Sequence, residues 1–234
     1  MYMSQDPKLY KTVSAVAFSP NGRFMFSGGY DNEVCIWDTK TDGTQPELVI
    51  AMKHKAKIDM LAVNQSGLLA TASQKGDNHA IKVIAIPEDE PTNFRKRNLG
   101  SRKAAEKPDY KILPTALQFS PRHENLLLAG FGANARSDGR DTNGDICIWD
   151  INAPERSEQQ IVHGSGKNVF DLAFHNRHPW FAVGCVAGQN VNRGTRSIIR
   201  VYDEAVVSNN DIMKYGMRME LECKALDMND VVWW

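Results

Sequence analysis

Short apolar stretches alternate with polar turns along residues 13–38. The three apolar stretches have the length of β-strands, and Pro20-Asn21-Gly22 and Tyr30-Asp31-Asn32 separate them. The segment closes on Trp37-Asp38. Apolar runs of this length between turn-forming residues predict strands joined by tight connections. The segment therefore predicts three consecutive antiparallel strands.

The same pattern returns three times further along the chain, at 58–84, 115–150 and 169–203. Equivalent places are occupied by Phe18, Val63, Phe119 and Phe174. The repeat length of roughly 45 to 55 residues fits a four-strand module with insertions. The fourth strands are predicted at 46–51, within 87–113, at 158–162 and at 220–223. No long stretch has the periodicity of an amphipathic helix.

The motifs at the strand ends resemble those of the WD40 repeat. A Ser-Pro pair ends two of the first strands. The third strands end on Trp-Asp twice and on Tyr-Asp once, and the second unit has lost the pair and has Ile-Ala in its place. These pairs are Ser19-Pro20, Ser120-Pro121, Trp37-Asp38, Trp149-Asp150, Tyr202-Asp203 and Ile84-Ala85. The resemblance implies an all-β fold, a WD40-like β-propeller with about four four-stranded antiparallel blades plus the start of a fifth.

The resemblance also predicts the domain organisation. It implies that residues 1–234 form a single, partial propeller domain that is divided into blades. The expected blades are at about 13–51, 54–113, 114–162 and 163–223. Residues 225–234 predict the first strand of a further blade, since Asp230 and Trp233 align with Asp171 and Phe174. We therefore expect a piece of a longer propeller, whose uncovered apolar blade faces favour self-association.

One set of polar residues has a structural role in the family that the chain resembles. A buried His, Ser or Thr, Asp and Trp form a hydrogen-bonded relay there, and Ser27, Asp31 and Trp37 supply three of the four in the first unit. A buried indole N–H or carboxylate needs such partners to offset desolvation. The His is missing from the first unit, and Lys53-His54 only weakly matches the Gly-His that precedes each repeat of the family.

Global charge gives no indication of a partner, because 28 Lys and Arg residues balance 28 Asp and Glu residues. Basic residues cluster locally in three insertions, at 87–113, 132–143 and 187–196, which the resemblance places on one face, the top. The candidate partner-binding residues are Arg95, Lys96, Arg97, Arg102, Lys103, Arg136, Arg140, Arg193 and Arg196. They predict a positive surface for an acidic partner. A solvated loop without function is the alternative.

None of the four cysteines belongs to a C-x-x-C pair. Cys35 and Cys147 occupy the same place in two units, which is typical of small apolar residues in buried strands. The chain shows neither a secretory signal pattern nor an apolar run of roughly 20 residues. We therefore expect an intracellular protein, cytoplasmic or nuclear, and the basic run 95–97 fits a nuclear-import signal as well.

Motifs for catalysis or cofactor binding are weak in this sequence. His175 and His178 form H-x-x-H but lack a predictable third zinc ligand, so an exposed turn is the favoured interpretation. There is no G-x-S-x-G, no H-E-x-x-H and no phosphate-binding loop. We expect no enzyme activity, no cofactor, no metal, no small-molecule substrate and no membrane partner. Lys40 and Asn152 replace the Arg with which some WD40 proteins dock onto cullin-type ligases, which argues against that partner.

Two functional hypotheses follow from the sequence. The first is a non-catalytic scaffold that mediates protein–protein interactions within a multisubunit intracellular complex. The second is a chromatin- or nucleic-acid-associated reader or adaptor that binds an acidic partner through basic top-face loops. The dependence of binding on salt separates them, because only the second requires the neutralisation of many negative charges.

Overall fold

The computed structural model describes residues 12–39, 47–73, 81–85, 95–100, 113–132, 145–152, 161–162, 167–190, 194–204, 217–223 and 231. In this part of the chain all regular secondary structure is β, arranged as four sheets of four strands. No helix among these residues is long and apolar enough to cross a bilayer.

Each sheet takes four strands in chain order, and each strand runs antiparallel to the one before it. Sheet 1 contains β1 (Val13–Phe18), β2 (Phe24–Gly29), β3 (Glu33–Asp38) and β4 (Glu47–Lys53). Sheet 2 contains β5 (Ile58–Val63), β6 (Leu68–Ser73), β7 (Ile81–Ala85) and β8 (Arg95–Gly100). Sheet 3 contains β9 (Leu113–Phe119), β10 (Leu126–Gly132), β11 (Asp145–Asp150) and β12 (Ile161–Val162). Sheet 4 contains β13 (Lys167–Phe174), β14 (Trp180–Asn190), β15 (Gly194–Asp203) and β16 (Met217–Cys223).

The second and third strands of all four sheets pair in one common register. The residues that open the second strand and close the third lie opposite each other. These pairs are Phe24 with Asp38, Leu68 with Ala85, Leu126 with Asp150 and Trp180 with Asp203. Residues that lie the same number of positions along the strand from these pairs are structurally equivalent in the four sheets. The predicted all-β fold of four-stranded antiparallel modules is confirmed.

The chain divides into two compact units, Met1–Arg102 and Lys103–Trp234. The first unit contains sheets 1 and 2, and the second contains sheets 3 and 4. The blade bounds given above stay a prediction. Most of 225–234 lies outside the described residues, and the assignment of that segment to a further blade also stays a prediction.

Within the first unit, sheet 2 packs on sheet 1 through a glycine. A Cβ on Gly28 would lie 2.6 Å from Cγ2 of Ile58, so only glycine lets β5 approach β2 this closely. Ile58 is fully buried there. The surrounding apolar core is formed by Phe24, Phe26, Val34, Ile36, Met52, Leu69 and Ile84.

The second unit repeats this contact at the equivalent position. A Cβ on Gly130 of β10 would overlap Cγ1 of Val169, the residue of β13 that is equivalent to Ile58. The core around it includes Leu128, Ile146, Ile148, Leu172, Phe181, Val183 and Ile198. In both units, therefore, a glycine of one sheet leaves the space into which a β-branched side chain of the next sheet packs.

A buried carboxylate provides the second link between sheets 3 and 4. The side chain of Glu204 has no solvent exposure and forms an ion pair with Arg122. Its Oε1 accepts a hydrogen bond from the hydroxyl of Ser120 at 2.7 Å. Arg122 also donates to the carbonyl oxygen of His175 at 2.6 Å. These contacts fix the β9–β10 turn against sheet 4.

Two segments that the sequence analysis assigned to top-face insertions are strands in the structure. Arg95, Lys96 and Arg97 lie in β8, the outer strand of sheet 2, so the fourth strand that was predicted within 87–113 contains the basic run that was also assigned to a top-face loop. Segment 187–196 is largely an extended hairpin, in which Ala187 pairs with Arg196. An outer strand packs against one neighbour only, so it tolerates charged residues and lacks a clear apolar pattern.

We predict that Gly28→Ala lowers the free energy of unfolding by about 1–3 kcal/mol, because the added methyl group overlaps Ile58. Urea denaturation of the single variants and of the Gly28→Ala/Ile58→Ala double variant measures the coupling. The double variant should lose less free energy of unfolding than the sum of the losses of the two single variants, since Ile58→Ala makes room for the methyl group. Additive losses would contradict the contact.

Glu204→Ala should lower the free energy of unfolding by about 3 kcal/mol, because it leaves Arg122 without its buried partner. Glu220→Ala is the matched control, since its carboxylate pairs with Arg200 at 2.8 Å and is 45% exposed. Glu220→Ala should lower the free energy of unfolding by at most about 1 kcal/mol. Equal losses in the two variants, measured by urea denaturation, would refute the linking role of Glu204.

Candidate partner-binding surface

The turn between β2 and β3 presents Tyr30 to solvent, with 49% of the residue exposed. Its backbone is fixed, since the N–H of Tyr30 donates to the carbonyl oxygen of Thr12 at 2.9 Å. The N–H of Asn32 donates to the carbonyl oxygen of Gly29 at 3.2 Å. Asn32 takes the left-handed conformation, with φ 67°, which asparagine tolerates better than most residues. The exposed ring therefore stands on an ordered turn.

The connection from β4 to β5 lies directly beside this turn. The N–H of His54 donates to the carbonyl oxygen of Asn32 at 2.7 Å. The ammonium of Lys57 lies 4.5 Å from the centroid of the Tyr30 ring and 3.4 Å from its hydroxyl. Tyr30, Lys53, Lys55 and Lys57 are named here the Tyr30 surface. In this unit the two kinds of connection share one edge, as the resemblance implied for the top face.

Carboxylates balance the lysines of the Tyr30 surface. Lys53 pairs with Glu33 at 3.5 Å, and Lys57 pairs with Asp59 at 3.7 Å. The ammonium of Lys57 is therefore shared between a carboxylate and an aromatic ring, which orients both side chains. The surface combines an aromatic ring with paired charges and is not strongly positive.

A buried hydrogen bond lies beneath this surface and was not predicted. Nε2 of His54 is 2.8 Å from the hydroxyl oxygen of Thr71, and both residues are buried. The bond joins the β4–β5 connection to β6 and so holds the lysines in place. The sequence did contain an indication of this bond. Lys53-His54 weakly matches the Gly-His that precedes each repeat of the family that the chain resembles.

The relay expected from Ser27, Asp31 and Trp37 is present in part. Nε1 of Trp37 donates to the hydroxyl of Ser27 at 2.9 Å, whereas Asp31 accepts from the backbone N–H of Glu33 at 3.1 Å. Thr71 is the equivalent of Ser27 in sheet 2. The Trp–Ser part of the relay thus lies in sheet 1 and a His–Thr part lies in sheet 2.

The predicted basic residues are distributed over several places. Arg95, Lys96 and Arg97 lie in β8, and Arg196 lies in β15. The others fall outside the described residues, and they are Arg102, Lys103, Arg136, Arg140 and Arg193. Their assignment as partner-binding residues stays a prediction.

His175 and His178, the H-x-x-H pair, lie in the turn between β13 and β14. Nδ1 of His175 accepts hydrogen bonds from the N–H groups of Arg177 and His178 at 2.9 and 3.1 Å. Side-chain acceptors at the equivalent places of the other sheets close the same turn, and they are Ser19, Asn64 and Ser120. His175 therefore serves as a turn cap.

Rings and a guanidinium surround this cap. The His178 ring stacks on Trp180 with centroids 4.6 Å apart, and Arg218 lies over the Trp180 ring at 5.0 Å. Desolvation lowers the pKa of His175, and the neighbouring His178 and Arg122 lower it further. Among the described residues no group of three or more His, Cys, Asp or Glu side chains could hold a metal ion.

The buried cysteine Cys185 has little chemical reactivity. It is fully buried, and burial raises the pKa of its thiol to about 12. A thiolate is the form that attacks electrophiles and binds metals, so this thiol is unreactive at neutral pH. Cys147 is also buried, which agrees with a small apolar residue in a strand.

Comparison with known proteins gives the fold of this chain. Residues 8–38 match the family described as WD domain, G-beta repeat. The chain is similar to the structure of the Dos1 propeller, with TM-score 0.67, 16% identity, and coverage of 94% of this chain and 49% of that one. The chain has a β-propeller fold, and its first repeat matches a WD40 repeat. None of the curated proteins matches it.

A second solved structure agrees with this fold. The β-propeller domain of Cps50 (Swd1) from Myceliophteria thermophila is similar to the chain with TM-score 0.59 and 18% identity. That match covers 90% of this chain and 60% of the other. The chain thus spans about half to three fifths of the length of these propellers.

Acid should destabilise this protein partly through His175. Because its folded pKa lies below the ordinary value, the unfolded chain binds the proton more tightly. The stabilising contribution is therefore complete above about pH 6.5 and is lost as pH falls below it.

His175→Asn is the matched variant, because Asn64 already closes the equivalent turn of sheet 2. Melting temperatures measured between about pH 5 and pH 7.5 should fall less for this variant than for the wild type. The same fall in both proteins would contradict the role of His175 as an unprotonated cap.

Proposed function

We propose that this protein is a non-catalytic scaffold that holds protein partners within a multisubunit intracellular complex. The observation that carries the proposal is the Tyr30 surface, an exposed aromatic ring on an ordered turn with paired charges beside it. The WD40 repeat at 8–38 supports it, because propellers of this family generally serve as binding scaffolds.

The ring of Tyr30 has the properties of an interface hot spot. Tyrosine offers a large apolar area with a polar end and loses little conformational entropy on binding. Tyr30 is further restrained by Lys57, so most of its ordering precedes contact with a partner. The paired lysines around it supply the polar rim that surrounds such residues in protein–protein interfaces.

The charge balance of the Tyr30 surface favours a protein partner over nucleic acid. Binding to a phosphate backbone draws its free energy from unpaired Lys and Arg side chains that release counterions. Lys53 and Lys57 already have carboxylate partners within 4 Å, so part of their positive charge is compensated before any partner binds. Association at this surface should therefore depend only weakly on salt.

The reader hypothesis remains the second candidate and is supported by the outer strand of sheet 2. Three consecutive basic residues, Arg95, Lys96 and Arg97, lie in β8. A chromatin- or nucleic-acid-associated function would use this strand, and its binding would weaken steeply with rising salt.

Affinity purification of the tagged protein from its cells, followed by binding assays with the proteins recovered, tests the proposal. Tyr30→Ala should weaken partner binding at least tenfold, or about 1.4 kcal/mol, because it removes the exposed anchor. Tyr30→Phe is the control, since it keeps the ring beneath Lys57 and should bind nearly as the wild type does.

Salt and the basic strand complete this test. Raising salt from about 50 to 200 mM should change the affinity less than about tenfold for a scaffold and by a factor of about 10³ or more for a reader. Binding that survives Tyr30→Ala but is lost on charge reversal of Arg95, Lys96 and Arg97 would reject the scaffold in favour of the reader.

A further inference from the structure

The Tyr30 surface places its positive charges outside and its negative charges beneath them. The side chain of Lys53 is 82% exposed, whereas that of Glu33, with which it pairs, is 14% exposed. The side chain of Lys57 is 32% exposed, and that of its partner Asp59 is 20% exposed. A molecule that approaches this surface therefore meets ammonium groups before it meets carboxylates.

The ion pairs of these lysines leave hydrogen-bonding capacity for a partner. The N–O distances are 3.5 Å from Lys53 to Glu33 and 3.7 Å from Lys57 to Asp59. A charge-assisted hydrogen bond between such groups is shorter, at about 2.7–2.9 Å. Each ammonium group has three donors, so it can bind a carboxylate of a partner without breaking a short bond inside the protein.

The ring of Tyr30 is open on one side only. The ammonium of Lys57 lies over one face, 4.5 Å from the ring centroid, while 49% of the residue is exposed. The open area is therefore the opposite face and the ring edge. A second cation placed there would be repelled by the ammonium of Lys57, whereas an aromatic ring can stack or pack edge-on. The Tyr30 surface thus selects against segments rich in Lys and Arg.

We propose that the Tyr30 surface binds an acidic segment of its protein partner, in which an aromatic side chain packs on Tyr30 and flanking carboxylates pair with the exposed Lys53 and Lys55. This rests on the proposed scaffold function and names the class of segment that the surface takes. Complementary charges select the partner and speed its association more than they raise its affinity. Because so few charges take part, the dependence on salt stays weak.

Two-dimensional NMR of isotope-labelled protein, titrated to millimolar concentrations with short capped peptides, tests this proposal. The probes are Asp-Glu-Phe-Glu-Asp, the same peptide with Ala in place of Phe, and Lys-Lys-Phe-Lys-Lys. The first should shift the amide signals of residues 30–33 and 53–57 and bind at least about tenfold more tightly than either of the others, since only it combines the ring with negative charge.

Charge reversal of the two exposed lysines should exchange this preference. The double variant Lys53→Glu/Lys55→Glu should bind the acidic peptide at least about tenfold more weakly than the wild type and bind the basic peptide more tightly than the wild type does. Arg177→Asp is the control, since it reverses an exposed charge on a turn of sheet 4 and should bind the acidic peptide as the wild type does. Equal melting temperatures verify that the variants fold.

Partner proteins recovered by affinity purification separate this proposal from the scaffold function. Their binding should weaken at least about tenfold in Lys53→Glu/Lys55→Glu. Binding that falls in Tyr30→Ala but not in the double variant would overturn the acidic segment and leave the scaffold. Acidic and basic peptides that bind equally, or an acidic peptide that leaves the signals of 30–33 and 53–57 unchanged, would also overturn it. Binding that survives Tyr30→Ala would reject the scaffold surface itself.

Discussion

The structure depends on the absence of a side chain at one position of the second strand. Gly28 and Gly130 leave a gap into which the next sheet inserts Ile58 or Val169. Protein interiors are close-packed, so a gap of this kind fixes where the following sheet lies to within a fraction of an ångström. Because glycine recurs at this position in sheets 1 and 3, the sheet that follows each of them stacks on it in the same way.

The inner strands can be predicted from the sequence because most of their residues are buried. Leu126–Gly132 is buried throughout, and Phe24–Gly29 combines buried residues with the half-buried Met25 and Ser27. Both segments lie between turn residues, and these signals are local. The outer strands give a weaker signal. The fourth strand of sheet 2 was expected only somewhere within 87–113, because Arg95–Gly100 is a basic run without an apolar pattern that pairs with β7. The extension of β14 and β15 into 187–196 was missed because that segment is polar and contains glycine, which is typical of loops.

The Tyr30 surface could not be found from the sequence, although its parts are close in the chain. Its properties come from contacts between connections, such as the bond from His54 to Asn32 and the position of Lys57 over the ring. Basic insertions are conspicuous in composition, whereas one tyrosine on a turn is not. The relay was predictable where Trp37 and Ser27 share sheet 1, a unit that lacks the histidine. The bond from His54 to Thr71 was missed because it belongs to the second repeat, which has Ile84-Ala85 in place of Trp-Asp.

The central claim is that the two sheets of each unit stack face to face through these glycines and are not joined edge to edge. Nuclear Overhauser contacts in methyl-labelled protein measure this directly. The account predicts strong contacts from the Ile58 methyl groups to the Gly28 Hα protons and from the Val169 methyl groups to those of Gly130. Missing methyl contacts, together with ladder contacts between the backbones of β4 and β5, would show one continuous sheet and contradict the account.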